Sequence, residues 1–297
     1  MNITLHGINF EKEFAPYLEQ LVRILQNHQA KVFMSPAFHR AFVETGAIAT
    51  KFEIQHSRQM LADIDFVLSV GGDGTLLDTV SYVGAHETPV VGINTGRMGF
   101  LATVAKQDIE NAIGVLFANE FNIENRSLVS LDTDLDLGPD MNRLNGSAFG
   151  LNEFTVHKRD TSSMIIVHTY INGEYLNSYW ADGLIISTPT GSTGYSLSCG
   201  GPLISPLAKN FVITPVSPHN LNVRPIVVSD DSVISLRMEG RSEKFLISLD
   251  SRSTAVEGNV RLTIRKEKFV ARLVKFHDYS FFDTLRQKLN WGYDMRN

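Results

Sequence analysis

A chain of 297 residues with 43% hydrophobic content is comfortable for two domains, each with a core of its own. Its net charge of -5, with acids and bases interspersed, points to neither nucleic acid nor a membrane surface as the main partner, so a small anion must be held by a local site. Cys199 is the only cysteine, which excludes an internal disulfide framework and fits a reducing compartment. Met1 to Phe10 lacks a basic stretch followed by an apolar core, and no run approaches the roughly 20 apolar residues of a membrane span, so the expected setting is the cytoplasm.

Ile3 to Ile8 reads as a strand, followed by a helix to about Gln29 with Pro16 in its first turn and Leu18, Leu21, Val22 and Leu25 on one apolar face. Lys31 to Met34 is a second short strand and Ala37 to Glu44 a helix. Ile64 to Val70, rich in β-branched and aromatic residues, is a buried strand, and Leu76, Leu77, Val80 and Val83 beyond it recur at helical spacing. Pro89 to Ile93 is another strand, and Gln107 to Ala118 a helix with Ile109, Ile113, Leu116 and Phe117 inward. Strands alternating with helices imply an α/β N-terminal domain with an open, mostly parallel sheet. From about Phe121 the pattern changes to short alternating runs with turn signals at Asn172-Gly173, Gly240-Arg241 and Gly258-Asn259, which predicts a β-rich, mostly antiparallel C-terminal domain. Phe281 to Trp291 reads as a C-terminal helix packing back, with Phe282, Leu285 and Leu289 on one face. The expected domains are 1–125, 126–275 and a helical tail, 276–297.

Between the strand ending at Val70 and its helix stands Gly71-Gly72-Asp73-Gly74-Thr75. A helix N-terminus carries unpaired N–H groups and partial positive charge, and residues without a Cβ let a phosphate approach them. Thr75 is placed to cap the helix, with Asp73 left facing whatever the loop holds. Asp-Gly is also a common turn dipeptide, and alone the stretch is equally well a plain turn. A carboxylate beside a phosphate repels it. Its presence makes sense if Asp73 deprotonates a hydroxyl while a metal ion offsets the phosphate charge. A second glycine-bearing loop, Asn94 to Leu101, follows the next strand at the sheet edge where ligands bind, and its Arg97 is either a phosphate contact or a solvated side chain.

Two stretches of the second domain depart from plain alternation. In Asn152-Glu153, the amide suits an adenine edge and the carboxylate suits vicinal ribose hydroxyls, although a turn or strand end explains the pair as well. Ala181 to Pro202 holds five glycines and eight hydroxyl side chains in 22 residues, offering many donors with little bulk, as a nucleotide site needs. Leu184 to Ile186, Pro189 and Pro202 argue against a flexible linker. Cys199 has no histidine or metal-spaced partner and reads as a small packed residue. Among the histidines, His157 and His168 fall in strands and His219 in a loop, and no pair has zinc-motif spacing, so no protein-built metal site is expected.

In these residues the chain closely resembles the NAD kinases. Gly71 to Thr75, Asn152-Glu153 and Asp182 to Pro202 match the family's three main motifs in order, the loops at Asn94 to Leu101 and Thr214 to Pro225 also fit, and the third motif is the specific one. The resemblance implies ATP- and Mg²⁺-dependent phosphorylation of the adenosine ribose 2'-hydroxyl of NAD, in a homodimer or homotetramer. It assigns Asp73 as the base with Gly74 beside it, and Gly71, Gly72, Gly74 and Thr75 to the phosphates. Asn152 and Glu153 would bind the adenosine part. Asp182 with Thr193, Gly194, Tyr195, Ser196, Leu197 and Ser198 would complete the dinucleotide pocket, which Ser217 and Arg252 also line. Many members have Arg where this chain has Trp180, and Ala where it has Gly194. The rivals are a lipid kinase of the diacylglycerol or sphingosine type, which shares the first motif, and a non-catalytic NAD-binding sensor, which would be expected to have replaced Asp73 or its glycines.

Overall fold

The computed structural model describes residues 1–9, 11–44, 53–54, 58–96, 99–134, 137, 141, 148–159, 163–240, 244–257, 260–276 and 280–290. Arg97, Arg241, Gly258, Asn259 and Trp291 lie outside the described residues. Internal packing divides the chain into two units, 1–124 with 272–297, and 125–271.

The first unit contains β1 (Asn2–His6), α1 (Ala15–Asn27), β2 (Lys31–Met34), α2 (Pro36–Glu44), β3 (Glu53–Ile54), β4 (Phe66–Val70), α3 (Asp73–Val83), β5 (Val90–Asn94), β6 (Val104–Ala105), α4 (Ile109–Phe117) and β7 (Phe121–Arg126). Pro16 stands in the first turn of α1, where its missing N–H costs no helical bond, and Leu18, Leu21, Val22 and Leu25 are buried on one side. They share a core with Ile3, Leu5, Leu68, Ile93, Ile113 and Leu116. Strand β1 lies between β2 and β4, parallel to both. The strand order therefore reverses at β1, and in open α/β sheets ligands bind outside the carboxyl ends of strands at such a point. The carboxyl end of β4 runs directly into Gly71.

The second unit holds β8 (Val129–Asp132), β9 (Ala148–Gly150), β10 (Glu153–Lys158), β11 (Ile165–Ile171), β12 (Glu174–Ala181), β13 (Gly183–Ser187), a one-turn helix α5 (Tyr195–Ser198), β14 (Asn210–Val216), β15 (Ile226–Ser229), β16 (Ile234–Glu239), β17 (Lys244–Leu249), β18 (Arg252–Glu257) and β19 (Arg261–Lys266). They form two sheets, ordered β15-β14-β13-β10-β17-β18 and β12-β11-β16-β19-β8-β9. Their inward side chains, Phe154, Leu184, Phe211 and Ile247 from one and Val129, Val167, Leu236 and Ile264 from the other, make a single core. Asn172 and Gly173 turn the β11–β12 hairpin with φ of 52° and 86°, the left-handed pair that an Asn-Gly turn favours.

Strand β20 (Ala271–Phe276) departs from the sequence reading. It pairs in parallel with β5, Leu273 opposite Val90, so it belongs to the first sheet and not to the β-rich domain. Val274 and Phe276 enter the first unit's core. A short buried strand carries the same alternation in either kind of sheet, and only its partner tells them apart. Helix α6 (Phe281–Leu289) follows, capped by Ser280, whose Oγ accepts the Phe282 N–H at 3.2 Å. Its inward residues are Thr284 and Leu285, while Phe282 is exposed, which corrects the apolar face expected for this helix. No helix among the described residues is long and apolar enough to cross a membrane.

Candidate active site

In the first unit the strand-to-helix turn is built on unequal glycines. A Cβ on Gly71 would lie 2.2 Å from Thr75 Oγ1, so this position is closed to any side chain. Gly72 and Gly74 face open space and leave the first-turn backbone accessible. Gly72, and not Thr75, is the N-cap of α3, and no side chain caps the helix. Thr75 is buried one turn in, its carbonyl accepting the Thr79 hydroxyl at 2.8 Å. The helix end therefore keeps its N–H groups for an anion.

Asp73 does not stand free in this turn. Its Oδ2 accepts the Phe100 N–H at 2.7 Å, and its Oδ1 accepts those of Leu101 at 3.1 Å and Ala102 at 3.0 Å. These donors come from the loop after β5, which is folded on Asn94: its Oδ1 accepts the Gly96 N–H at 2.8 Å, and its Nδ2 donates to the Ala102 carbonyl at 3.3 Å. A Cβ on Gly99 would sit 1.9 Å from Asp73 Oδ1, so glycine there makes room for the carboxylate. All three partners are donors, and the group they hold is an acceptor. A carboxylate has about four lone-pair sites, so roughly one remains, on Oδ2.

A further feature of this unit went unread in the sequence. His6, at the end of β1 and 1% exposed, bonds through Nε2 to Asp78 Oδ2 of α3 at 2.9 Å and stacks on Tyr82 with ring centroids 4.6 Å apart. This ties α3, whose first residue is Asp73, to the strand at the sheet's switch point.

In the second unit Asn152 and Glu153 open β10, and their backbone is held from two sides. The Asp250 carboxylate, in the β17–β18 turn, accepts the N–H groups of Leu151 at 2.8 Å, Asn152 at 2.8 Å and Glu153 at 3.2 Å. On the other side Thr188 donates its hydroxyl to the Leu151 carbonyl at 2.6 Å and its N–H to that of Asn152 at 2.8 Å. A Cβ on Gly191 would fall 2.1 Å from the Asn152 carbonyl oxygen, with backbone atoms as its three nearest neighbours. Gly191→Ala is therefore expected to lower the unfolding free energy by about 1–3 kcal/mol, the usual range for overpacking, measured by urea denaturation. An unchanged midpoint would refute this contact.

The result is a concentration of unsatisfied polarity. Asn152 Oδ1 and Glu153 Oε2 are buried and have no partner among the described residues. Glu153 is 8% exposed, and burial, then the Asp250 charge, push its carboxyl up to about 8, against the opposing Tyr195 backbone N–H. Gly194 lies over the pair, its Cβ position 3.1 Å from Glu153 Oε2 and 3.4 Å from Asn152 Nδ2. Buried polar atoms without partners are rare and mark a place where a ligand supplies them.

The hydroxyls of the glycine-rich stretch turn out to build the turn itself. Ser192 Oγ donates to the Pro189 carbonyl at 2.7 Å and Thr193 Oγ1 to that of Thr190 at 3.1 Å, while Ser196, fully buried, meets Thr214 Oγ1 at 2.8 Å. Leu197 is half-buried, Ser198 exposed, and Tyr195 partly exposed and stacked on His157 at 5.6 Å. Burial lowers the His157 imidazole and raises both the Tyr195 phenol and the Cys199 thiol, so the cysteine is no ready nucleophile. Asp182 pairs with Lys158 at 2.5 Å. Ser217 is exposed with φ of 46°. Arg252 is buried and donates to the carbonyls of Phe149 and Met141. Trp180 is exposed beside His219, whose N–H its carbonyl accepts at 2.8 Å.

Among the described residues no three His, Cys, Asp or Glu side chains gather as a metal cage. Asp73 is the one carboxylate of the Gly71–Thr75 turn. Mg²⁺ is usually held by one or two carboxylates together with substrate phosphates and water, so this donor set fits an ion brought in on a triphosphate.

An α/β unit with an aspartate in an open helix N-terminus at its switch point, followed by a β sandwich with unpartnered polar groups, defines a nucleotide-dependent phosphotransferase. The chain matches the ATP-NAD kinase N-terminal domain over residues 4–121 and the ATP-NAD kinase C-terminal domain over residues 151–276. It is 47% identical over 298 residues to the NAD kinase of Cytophaga hutchinsonii and 42% identical over 296 residues to that of Bacteroides fragilis, with 100% of both chains covered in each case. Among solved structures it is similar to yeast NADH kinase complexed with NADH, with a TM-score of 0.85 at 20% identity over 100% of this chain and 89% of that one. It is also similar to an NAD kinase from Archaeoglobus fulgidus in complex with ATP, with a TM-score of 0.75 at 25% identity over 98% and 99% of the two chains. The chain belongs to the ATP-NAD kinase family, and it is an enzyme that phosphorylates NAD.

Proposed function

We propose that the chain transfers the γ-phosphoryl group of ATP to the adenosine ribose 2'-hydroxyl of NAD, with Asp73 as general base. A sugar hydroxyl is a poor nucleophile at neutral pH, so its proton passes to the open lone pair of Asp73 Oδ2 as the oxygen bonds to the γ-phosphorus and the bond to the leaving ADP oxygen breaks. The backbone N–H groups at Gly72 to Thr75 hold the phosphates, and the N–H donors of Phe100 to Ala102 fix the carboxylate. Mg²⁺, when bound on the triphosphate, offsets its negative charge. Asn152 and Glu153 supply polar partners for the adenosine portion, with Gly194 and Tyr195 as the wall of the pocket. Asp182, Thr193 and Ser196 to Ser198 support that wall, as do Ser217 and Arg252 at its margins. The single cysteine supports a reducing, cytoplasmic setting, and a homodimer or homotetramer goes with the family resemblance.

The observation that carries this reading is the seat of Asp73: a carboxylate fixed by three N–H donors in a turn otherwise suited to anions has a place as a base and none as a phosphate ligand. Incubating the protein with NAD, ATP and Mg²⁺ is expected to yield NADP, read with an NADP-specific dehydrogenase. Phosphorylation of a diacylglycerol or sphingosine in its place, or NAD binding without turnover, would sink the reading in favour of one of the two rivals.

A further inference from the structure

Two carboxyl groups of the second unit act on each other, Glu153 buried and Asp250 half-buried, and their partners differ. Burial raises the Asp250 carboxyl as well, but it is surrounded by donors that pull the other way: the N–H groups of Leu151, Asn152 and Glu153, with the Arg252 guanidinium among the charges acting on it. Glu153 has only the Tyr195 backbone N–H, and its Oε2 has no partner among the described residues. Two like charges in one desolvated place are costly, and the charge settles where the donors are.

We propose that Glu153 meets the dinucleotide as the neutral acid, its Oε2–H donating a hydrogen bond to an acceptor oxygen or nitrogen of the ligand, while Asp250 carries the one negative charge of the pair. This rests on the reading that Asn152 and Glu153 line the NAD pocket. It changes what the pocket recognises: a carboxylate only accepts hydrogen bonds, whereas a carboxylic acid gives one. It also spares the negatively charged pyrophosphate of NAD a second buried anion in its own pocket.

The titratable groups facing Glu153 are Asp250 from the β17–β18 turn, Tyr195 from α5 and Cys199 just after it, with Arg252 acting on Asp250. Burial raises both the phenol and the thiol above their ordinary values, so both stay neutral where Glu153 loses its proton. NAD has no group that titrates there. If only the protonated form binds, NAD affinity is level up to about pH 8 and then falls about tenfold per pH unit.

The test is calorimetric titration of NAD into the full chain from about pH 6 to about pH 10, beside Glu153→Gln, a neutral donor of similar shape. The expected result is a break near the raised value in the unsubstituted protein and no break in Glu153→Gln, whatever its affinity at neutral pH. A level profile in the unsubstituted protein, or the same break retained in folded Glu153→Gln, would overturn the inference and leave the pocket reading intact. Absence of NAD binding at every pH would remove the pocket reading and the inference with it. If Glu153→Gln does not fold, the infrared carbonyl band of a buried carboxylic acid decides the matter. Present at neutral pH and lost as pH rises past about 8, it supports the inference; absent at neutral pH, it refutes it.

Discussion

Asp73→Asn is expected to lower kcat by about 10²-fold or more while the Kd for NAD stays within about threefold. Asparagine has the same shape and keeps an oxygen for the N–H groups of Leu101 and Ala102, which Oδ1 now accepts at 3.1 Å and 3.0 Å. Its amide nitrogen would face the Phe100 N–H across the present 2.7 Å bond, donor against donor. One half-buried donor is thereby left unpaired, a cost of about 1 kcal/mol, which for a domain of this size is a shift of a few degrees in Tm. Catalysis loses far more, because asparagine has no lone pair basic enough to take the 2'-hydroxyl proton. Steady-state NADP formation and calorimetric NAD binding separate the two effects. Unchanged turnover would sink the assignment of Asp73 as base, and loss of NAD binding with kcat retained would move it to a binding role.

What the sequence discloses of this molecule is what is local in it. The apolar face of α1 is written in Leu18, Leu21, Val22 and Leu25 because helical periodicity repeats within a few residues. The β11–β12 hairpin is written in Asn172-Gly173 because two left-handed residues need that chemistry. The Gly71–Thr75 turn and the Asn152-Glu153 pair are visible as residue types in an unusual place. The partners that give them their properties are not. Asp73 is held by donors 27 to 29 residues on. Asp250, which holds the backbone of Leu151 to Glu153 from 97 to 99 residues away, stands in an ordinary hairpin turn, Asp-Ser, that no local pattern distinguishes. The His6–Asp78 pair spans 72 residues, and β20 reads as one more alternating strand until its partner is known. Glu153 illustrates the consequence: its residue type suggests a carboxylate for ribose hydroxyls, and only its burial and the Asp250 charge, neither visible locally, push its carboxyl up to about 8.

Gly99→Ala is expected to lower kcat nearly as far as Asp73→Asn, about 10²-fold, without touching the base itself. The new Cβ would lie 1.9 Å from Oδ1, 2.2 Å from Cγ and 2.3 Å from Oδ2 of Asp73, so the whole carboxylate must leave its seat. The colliding atoms end a short side chain that can rotate about its χ1 and χ2, so the strain is relieved by moving Asp73 and not by unfolding the sheet. The N–H groups of Phe100, Leu101 and Ala102 then turn to water, and Tm falls by only a few degrees. Positioning and proton transfer are two descriptions of one function here, and residues that act as a unit do not add. The double variant Asp73→Asn with Gly99→Ala should therefore be no slower than about threefold below the worse single variant, where independent effects would multiply to about 10⁴. Full multiplication would show that Gly99 acts on something other than the seat of Asp73. Wild-type turnover in Gly99→Ala would show that the carboxylate works equally well outside the three N–H groups that hold it in this structure.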